Sequence, residues 1–142
     1  MPGGYRFLDH MTDAVIEAYG PTMADAFENA AIALNDTMVD ISTVIPTKQF
    51  VISARGRDIR QLLFEWLDKV LLILLIDRVV MRSFDIEISE DADLCVLDAT
   101  AEGEPLNLEK HKYKVEIKAV TYHEMEILRN ETETIVRFIL DL

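Results

Sequence analysis

The sequence predicts an α+β fold: one compact domain over residues 1–142, made mostly of antiparallel β-sheets packed with two main helices. Three observations predict it. Only two segments repeat apolar residues at three- and four-residue spacing, the signature of a helix face. Most of the remaining chain alternates apolar and polar side chains in short runs, the period of a half-buried strand. These runs follow one another directly after Ile76, whereas a parallel sheet would need regular strand–helix alternation.

The first helix opens at Thr22, with Asp25 three residues on as its capping-box partner. Pro21 stands just before it and cannot continue the preceding strand pairing. Phe27, Ala30, Ala31, Leu34 and Met38 then mark one face. The second helix starts near Asp58, a good N-cap. It continues through Leu62, Leu63, Trp66, Leu67, Val70, Leu71, Leu74 and Leu75. From 70 to 76 it is apolar on every side, so it is expected to be covered all round and to form the spine of the core.

After a short initial strand, residues 14–19 form the next. Residues 48–55 alternate Phe50, Ile52 and Ala54, and 83–89 set Phe84, Ile86 and Ile88 against Asp85 and Glu87. A strand over 94–102 follows. Residues 113–120 alternate Val115, Ile117 and Ala119 against Lys114, Glu116 and Lys118. Segments 122–128 and 134–140 flank the polar turn Arg129-Asn130-Glu131-Thr132 and read as a hairpin.

A chain of 142 residues suits a single core, and half of them are apolar. The longest apolar stretch, 62–76, contains Glu65, Asp68 and Lys69. Spanning a bilayer takes about 20 apolar residues, so no transmembrane helix is expected. The N-terminal segment lacks the basic, apolar, small-residue order of a signal peptide. Together with the single cysteine, Cys95, which reads as a small core residue among Leu94, Val96 and Leu97, this predicts a soluble, cytoplasmic protein. Fourteen basic residues against 26 acidic ones give a formal net charge of −12, with no basic cluster. Tight nucleic-acid binding and adhesion to an anionic membrane are therefore disfavoured. Hard cations and basic proteins suit the charge, as does a merely solvated surface.

Three clusters could carry chemistry. In Phe7-Leu8-Asp9-His10-Met11-Thr12-Asp13, two carboxylates and an imidazole fall within five residues. They could converge on a cation or partner group, or satisfy the amides of a turn. In Lys118-Ala119-Val120-Thr121-Tyr122-His123, strand alternation puts the lysine and the histidine on opposite faces. Both can serve one site only if the strand bends or ends between them; otherwise they are a surface lysine and a hydrogen-bonded histidine. The third cluster is the end, Phe138-Ile139-Leu140-Asp141-Leu142, where an apolar strand would hold the Asp141 and Leu142 carboxylates together. Two such anions repel unless a cation or basic group lies between them, and oxygen donors suit Ca²⁺, Mg²⁺ or Mn²⁺. An ordinary solvated end is the alternative. No phosphate-binding glycine loop, no nucleophile elbow and no zinc-finger spacing occurs.

The chain resembles the archease family over essentially its full length. The matching stretches are Phe7-Leu8-Asp9-His10 with Asp13, Ala26-Phe27-Glu28-Asn29-Ala30-Ala31, Glu65-Trp66-Leu67, Lys118-Ala119-Val120-Thr121-Tyr122-His123 and Ile139-Leu140-Asp141-Leu142. Met11-Thr12 departs from the Thr-Ala usual in the family, which touches only the packing of that loop. The resemblance implies an α+β domain of two helices with β-sheets. It implies a divalent cation, Ca²⁺ in the family, held through Asp13, Asp141 and Leu142. It also implies a function: activating the RtcB-type tRNA-splicing RNA ligase by promoting guanylylation and turnover and broadening its nucleotide use. Lys118 is implicated in that activation, with His10 and His123 as further candidates. On this reading the protein is an accessory factor and not an enzyme. A metal- and carboxylate-dependent hydrolase and a general chaperone are the alternatives.

Overall fold

The computed structural model describes residues 2–8 and 12–142. Asp9, His10 and Met11 lie outside the described residues. In chain order the elements are β1 (Gly4–Leu8), β2 (Asp13–Gly20), α1 (Met23–Met38), a single 3₁₀ turn (Ile41–Thr43), β3 (Lys48–Gly56), α2 (Ile59–Leu72) widening into a π turn (Ile73–Asp77), β4 (Val79–Glu90), β5 (Cys95–Pro105), β6 (Ala119–Arg129) and β7 (Thr134–Asp141). They build two antiparallel sheets, a four-stranded one in the order β1-β2-β7-β6 and a three-stranded one in the order β3-β5-β4.

The two helices lie between the sheets. α1 packs on β2 and β7 of one sheet and on β4 of the other; α2 packs on β3 and β5 and, across the core, on β6. A helix covered on both sides needs apolar residues all round. Ala26, Phe27, Ala30, Ala31, Ala33 and Leu34 of α1 are all fully buried. Its small residues let both sheets approach. The expected cap is present: Thr22 Oγ1 accepts from the Asp25 amide at 3.1 Å, and the Asp25 carboxylate accepts from the Thr22 amide at 3.2 Å. Asp58 caps α2 by accepting from the Gln61 amide at 2.8 Å.

Polar groups inside this core are paired. Trp66 of α2 donates its indole N–H to the Phe27 carbonyl of α1 at 3.0 Å. Asn35, fully buried, donates to the Ala31 carbonyl and accepts from the Met81 amide at 3.1 Å. Met81 borders a register shift in the β4–β5 pairing, where the ladder is interrupted. Asn35 thus satisfies a buried amide that would otherwise cost free energy.

Two expectations change. Residues 113–120 are not one strand: only Ala119 and Val120 enter a ladder. Residues 108–112 turn, 113–118 take no regular secondary structure, and β6 starts only at Ala119. The alternation reports alternating burial, since Ile117 is fully buried and Lys114, Glu116 and Lys118 are exposed. The backbone bonds instead to the end of α1, where the Lys114 amide donates to the Met38 carbonyl at 2.8 Å. The end of α2 is also not covered all round. Leu74 is fully buried, but Leu72 is 44% and Ile76 70% exposed. The π turn adds residues to the last turn and re-phases its faces. Ile76 then lines a hollow of about 400 Å³ with Val51, Leu72 and Ile73 beside the edge strand β3.

Candidate functional site

The pairing of β2 with β7 joins the two ends of the chain. Asp13 is the Cα partner of Asp141, followed by Ala14 with Leu140 and Val15 with Ile139. Directly opposed residues of an antiparallel pair project to the same side, with Cβ atoms roughly 5 Å apart. Ala14 and Leu140 pack toward the helices, so Asp13 and Asp141 lie on the outer face of the four-stranded sheet. On that face, Val15 and Ile139 are buried at 9% and 4% exposure, and beyond them comes a charged row. There Glu17 accepts from Arg6 at 2.9 Å and from Arg137 at 3.0 Å. At the corner of this face the Asp13 and Asp141 carboxylates stand opposite each other.

Leu142 follows Asp141, with its side chain packed partly against the core. It is the residue just past the Asp13–Asp141 pair, beyond the end of β7. Lys118 approaches from the other side of β7. Its amide donates to the Asp141 carbonyl at 2.7 Å, and Ala119 is the Cα partner of Asp141. Three sequence-separated candidates, Asp13, Lys118 and Asp141 with Leu142, thus meet at one sheet corner. The segment leading to Lys118 is fixed by Lys114, whose ammonium group donates to the Asp36 carbonyl at 2.8 Å. Asp36 in turn accepts from the Tyr5 hydroxyl at 3.0 Å and from the Ile41 amide at 3.0 Å. Burial, together with the charge and hydrogen bond of Asp36, pushes the Tyr5 hydroxyl well above its ordinary value.

Among the described residues the donor set fits a hard divalent cation in kind: two carboxylates in register, with main-chain oxygens close in sequence. Among the described residues, no group of three or more His, Cys, Asp or Glu side chains is disposed to hold a metal. Among the described residues, the main-chain oxygens of Leu142 are the further donors next in sequence to the two aspartates. Asp9 and His10 of the first cluster lie outside the described residues.

His123 stands apart from the corner, four residues along β6 from Ala119. Its amide donates to Thr121 Oγ1 at 3.1 Å, and its side chain is exposed. It sits in an irregularity between Thr121 and Glu126. The strand thus begins after Lys118 and breaks before Glu126. Those are the two places where alternation ceases to bind the lysine and histidine to opposite faces.

The sequence reading missed a buried, hydrogen-bonded carboxylate and its histidine partner. His111 is fully buried, and its Nδ1 accepts from the Asn107 amide at 3.0 Å, so the ring proton is on Nε2. Nε2 donates to Glu104 at 2.9 Å. Glu104 also accepts from the Ile45 amide at 2.7 Å and from Lys110 at 2.7 Å. Burial alone would push this carboxyl up. The Ile45 amide, Lys110 and His111 outweigh it and hold Glu104 at about 2. The only signal in sequence was a histidine among polar residues, which does not announce a partner seven positions away. The role is structural: it pins the 106–112 turn, whose His111 carbonyl accepts from the Asp40 amide at 2.8 Å.

The outer face of the other sheet carries a cluster of acidic side chains, Asp85, Glu87, Asp98 and Glu102, all exposed. Among the described residues, no helix is long and apolar enough to cross a membrane.

Comparison with known proteins agrees with this architecture over the whole chain. A sequence model of the Archease protein family (MTH1598/TM1083) matches residues 5–142. A protein archease of Sulfolobus acidocaldarius is 36% identical over 97% of this chain and 98% of its own length. One of Methanothermobacter thermautotrophicus is 37% identical over 98% of this chain and 99% of its own. The solution structure of Methanobacterium thermoautotrophicum protein 1598 superposes with a TM-score of 0.85 at 37% identity, covering 98% of this chain and 99% of that one. With the same two helices between two antiparallel sheets and a full-length match, this chain belongs to the archease family.

Proposed function

We propose that this protein is a non-catalytic, metal-binding accessory factor that activates an RtcB-type tRNA-splicing RNA ligase. It promotes guanylylation and turnover of the ligase and broadens its nucleotide use. The observation that carries the reading is the direct opposition of Asp13 and Asp141 at an exposed sheet corner. Two carboxylates in register, with main-chain oxygens close in sequence, are the hard-oxygen donors that a divalent cation takes.

In this reading Asp13, Asp141 and the main-chain oxygens of Leu142 bind a divalent cation, with Ca²⁺ the family expectation and Mg²⁺ and Mn²⁺ of the same hard-oxygen preference. When bound, the ion supplies a compact positive charge able to neutralise phosphate oxygens. Lys118, tethered beside Asp141 through its backbone, orients phosphate or carboxylate groups of the ligase's nucleotide site. His10 and His123 are the remaining partner-facing candidates. Nucleotidyl transfer depends largely on positioning and charge neutralisation, and both can come from a docked protein. The net charge of −12 suits docking on a basic, RNA-binding enzyme and opposes holding RNA directly.

The test is a guanylylation assay of the ligase with and without this protein, across Ca²⁺, Mg²⁺ and Mn²⁺. Stimulation that is lost in Asp13→Ala and Asp141→Ala, with both variants folded, is the expected result. Full stimulation by either variant overturns the reading. Turnover of nucleotide or RNA by this protein alone, dependent on Asp13, would make it a hydrolase instead.

A further inference from the structure

β6 and β7 pair regularly on both sides of one break. Thr121 faces Ile139, and the next matched pair is Glu126 with Arg137, so five steps along β6 meet two along β7. The surplus of β6 must leave the ladder. Glu124 adopts a left-handed backbone at φ 56°, uncommon for a residue with a side chain, and Met125 returns to the core at 4% exposure. Tyr122 and His123 ride on this bulge.

A bulge of this length has lost its ladder bonds, so something else must set its direction. Here it is α2. Arg60 donates from its guanidinium to the Tyr122 carbonyl at 3.1 Å and lies 5.9 Å from the centre of the Tyr122 ring. Phe64 stacks on the same ring at 4.1 Å, with the planes 9° apart. Arg60 and Phe64 are four residues apart and so share one helix face. That face belongs to the capped first turns of α2, whose Leu62, Leu63 and Trp66 are fully buried. The grip therefore comes from a rigid element. Among the described residues, Arg60 forms no ion pair with any carboxylate, although 26 acidic residues surround it in the chain. Its guanidinium is committed to a backbone carbonyl and an aromatic face.

We propose that Arg60 and Phe64 are positioning residues that clamp the β6 bulge to α2 and so present His123 to the ligase on a fixed backbone. The proposal rests on the reading that His123 serves ligase activation. Without the clamp, residues 121–126 would sample many backbone states, and the ordering cost would fall on complex formation.

The test compares Arg60→Ala, Arg60→Lys and Phe64→Leu with two controls: His123→Ala, and Arg57→Ala just before the N-cap of α2. Amide exchange and NMR relaxation over 121–126 report the bulge, and a ligase guanylylation titration reports function. Arg60→Ala should keep the cooperative unfolding transition and lose exchange protection only at 121–126. Its maximal stimulation should fall by about tenfold or more, the order a misplaced group costs. Arg60→Lys, which keeps one donor without the planar fork, should recover part of it. Arg57→Ala should behave as wild type. Unchanged exchange at 121–126 in Arg60→Ala overturns the clamp, as does a mobile bulge with full stimulation while His123→Ala is impaired. Full stimulation by His123→Ala overturns the function given to the bulge, and the proposal with it. Loss of stimulation in Asp141→Asn beside an intact Arg60→Ala overturns the clamp alone and leaves the reading of the corner standing.

Discussion

Asp13 and Asp141 are 128 positions apart in sequence and directly opposite each other in the β2–β7 pairing. Each side of that pairing is enforced by its neighbours. Ala14, Ile16 and Ala18 on β2, and Leu140, Phe138 and Val136 on β7, all point to the helices. A one-residue slip of either strand would turn its apolar row away from the helices, so the register is tightly specified. The two aspartates inherit their meeting from that core.

Divalent cation should therefore stabilise this protein through the corner. With chelator present, Asp141→Asn should melt close to the wild-type temperature, because it changes an exposed side chain. With Ca²⁺ at roughly 100 times its dissociation constant, wild type should gain about 2.7 kcal/mol, or ~10 °C, and Asp141→Asn should gain little. Scanning calorimetry with and without cation decides it. An equal gain in both proteins would place the ion elsewhere.

The buried Glu104–His111 pair should govern acid stability. Glu104 is held at about 2 against an ordinary value of 4.5, so its folded-state value is depressed. Its contribution is fully present above 4.5 and is lost as pH falls from there toward about 2. Glu104→Gln should destabilise at neutral pH by roughly 2–3 kcal/mol, the usual worth of a hydrogen-bonded buried charge. It should also flatten the fall in stability across that acid window. Urea melts at a series of pH values measure both, and an unchanged acid limb would contradict the assignment.

Asn35 should prove as important as any apolar residue of α1. Asn35→Ala removes the acceptor of the Met81 amide and leaves that amide buried without a partner. The expected cost is roughly 2–3 kcal/mol. Chemical denaturation gives the number. A change under about 0.5 kcal/mol would mean that the amide finds another acceptor.

The apolar end of α2 should divide sharply. Leu74→Ala, at a fully buried site, should cost about 2–5 kcal/mol. Ile76→Ser, two residues on and 70% exposed, should stay within about 0.5 kcal/mol. Similar losses in both would restore a helix end covered all round.

Local rules were enough to find the helices. Thr22 with Asp25, and Asp58, announce helix starts because capping is satisfied within four residues of chain. Strands with a core face, such as 48–55 and 134–140, were legible for a similar reason. The segment 113–120 was not, because its period-2 burial has the same sequence signature whether or not a neighbouring strand is present to pair with it. Only the tertiary structure supplied Met38 as the acceptor for the Lys114 amide. The site divides in the same way. Asp13, Lys118, Asp141 and Leu142 could be named from residue types and family likeness. Their arrival at one corner depends on β2 and β7 lying side by side, which no local spacing encodes. The grip of Arg60 and Phe64 on Tyr122, and of His111 on Glu104, join residues with no shared period. The amino-acid sequence by itself thus determined the class of fold, its helix ends and the chemistry on offer. The packing of two sheets around two helices decided which of those groups touch, because contacts between distant residues arise only when the whole core closes.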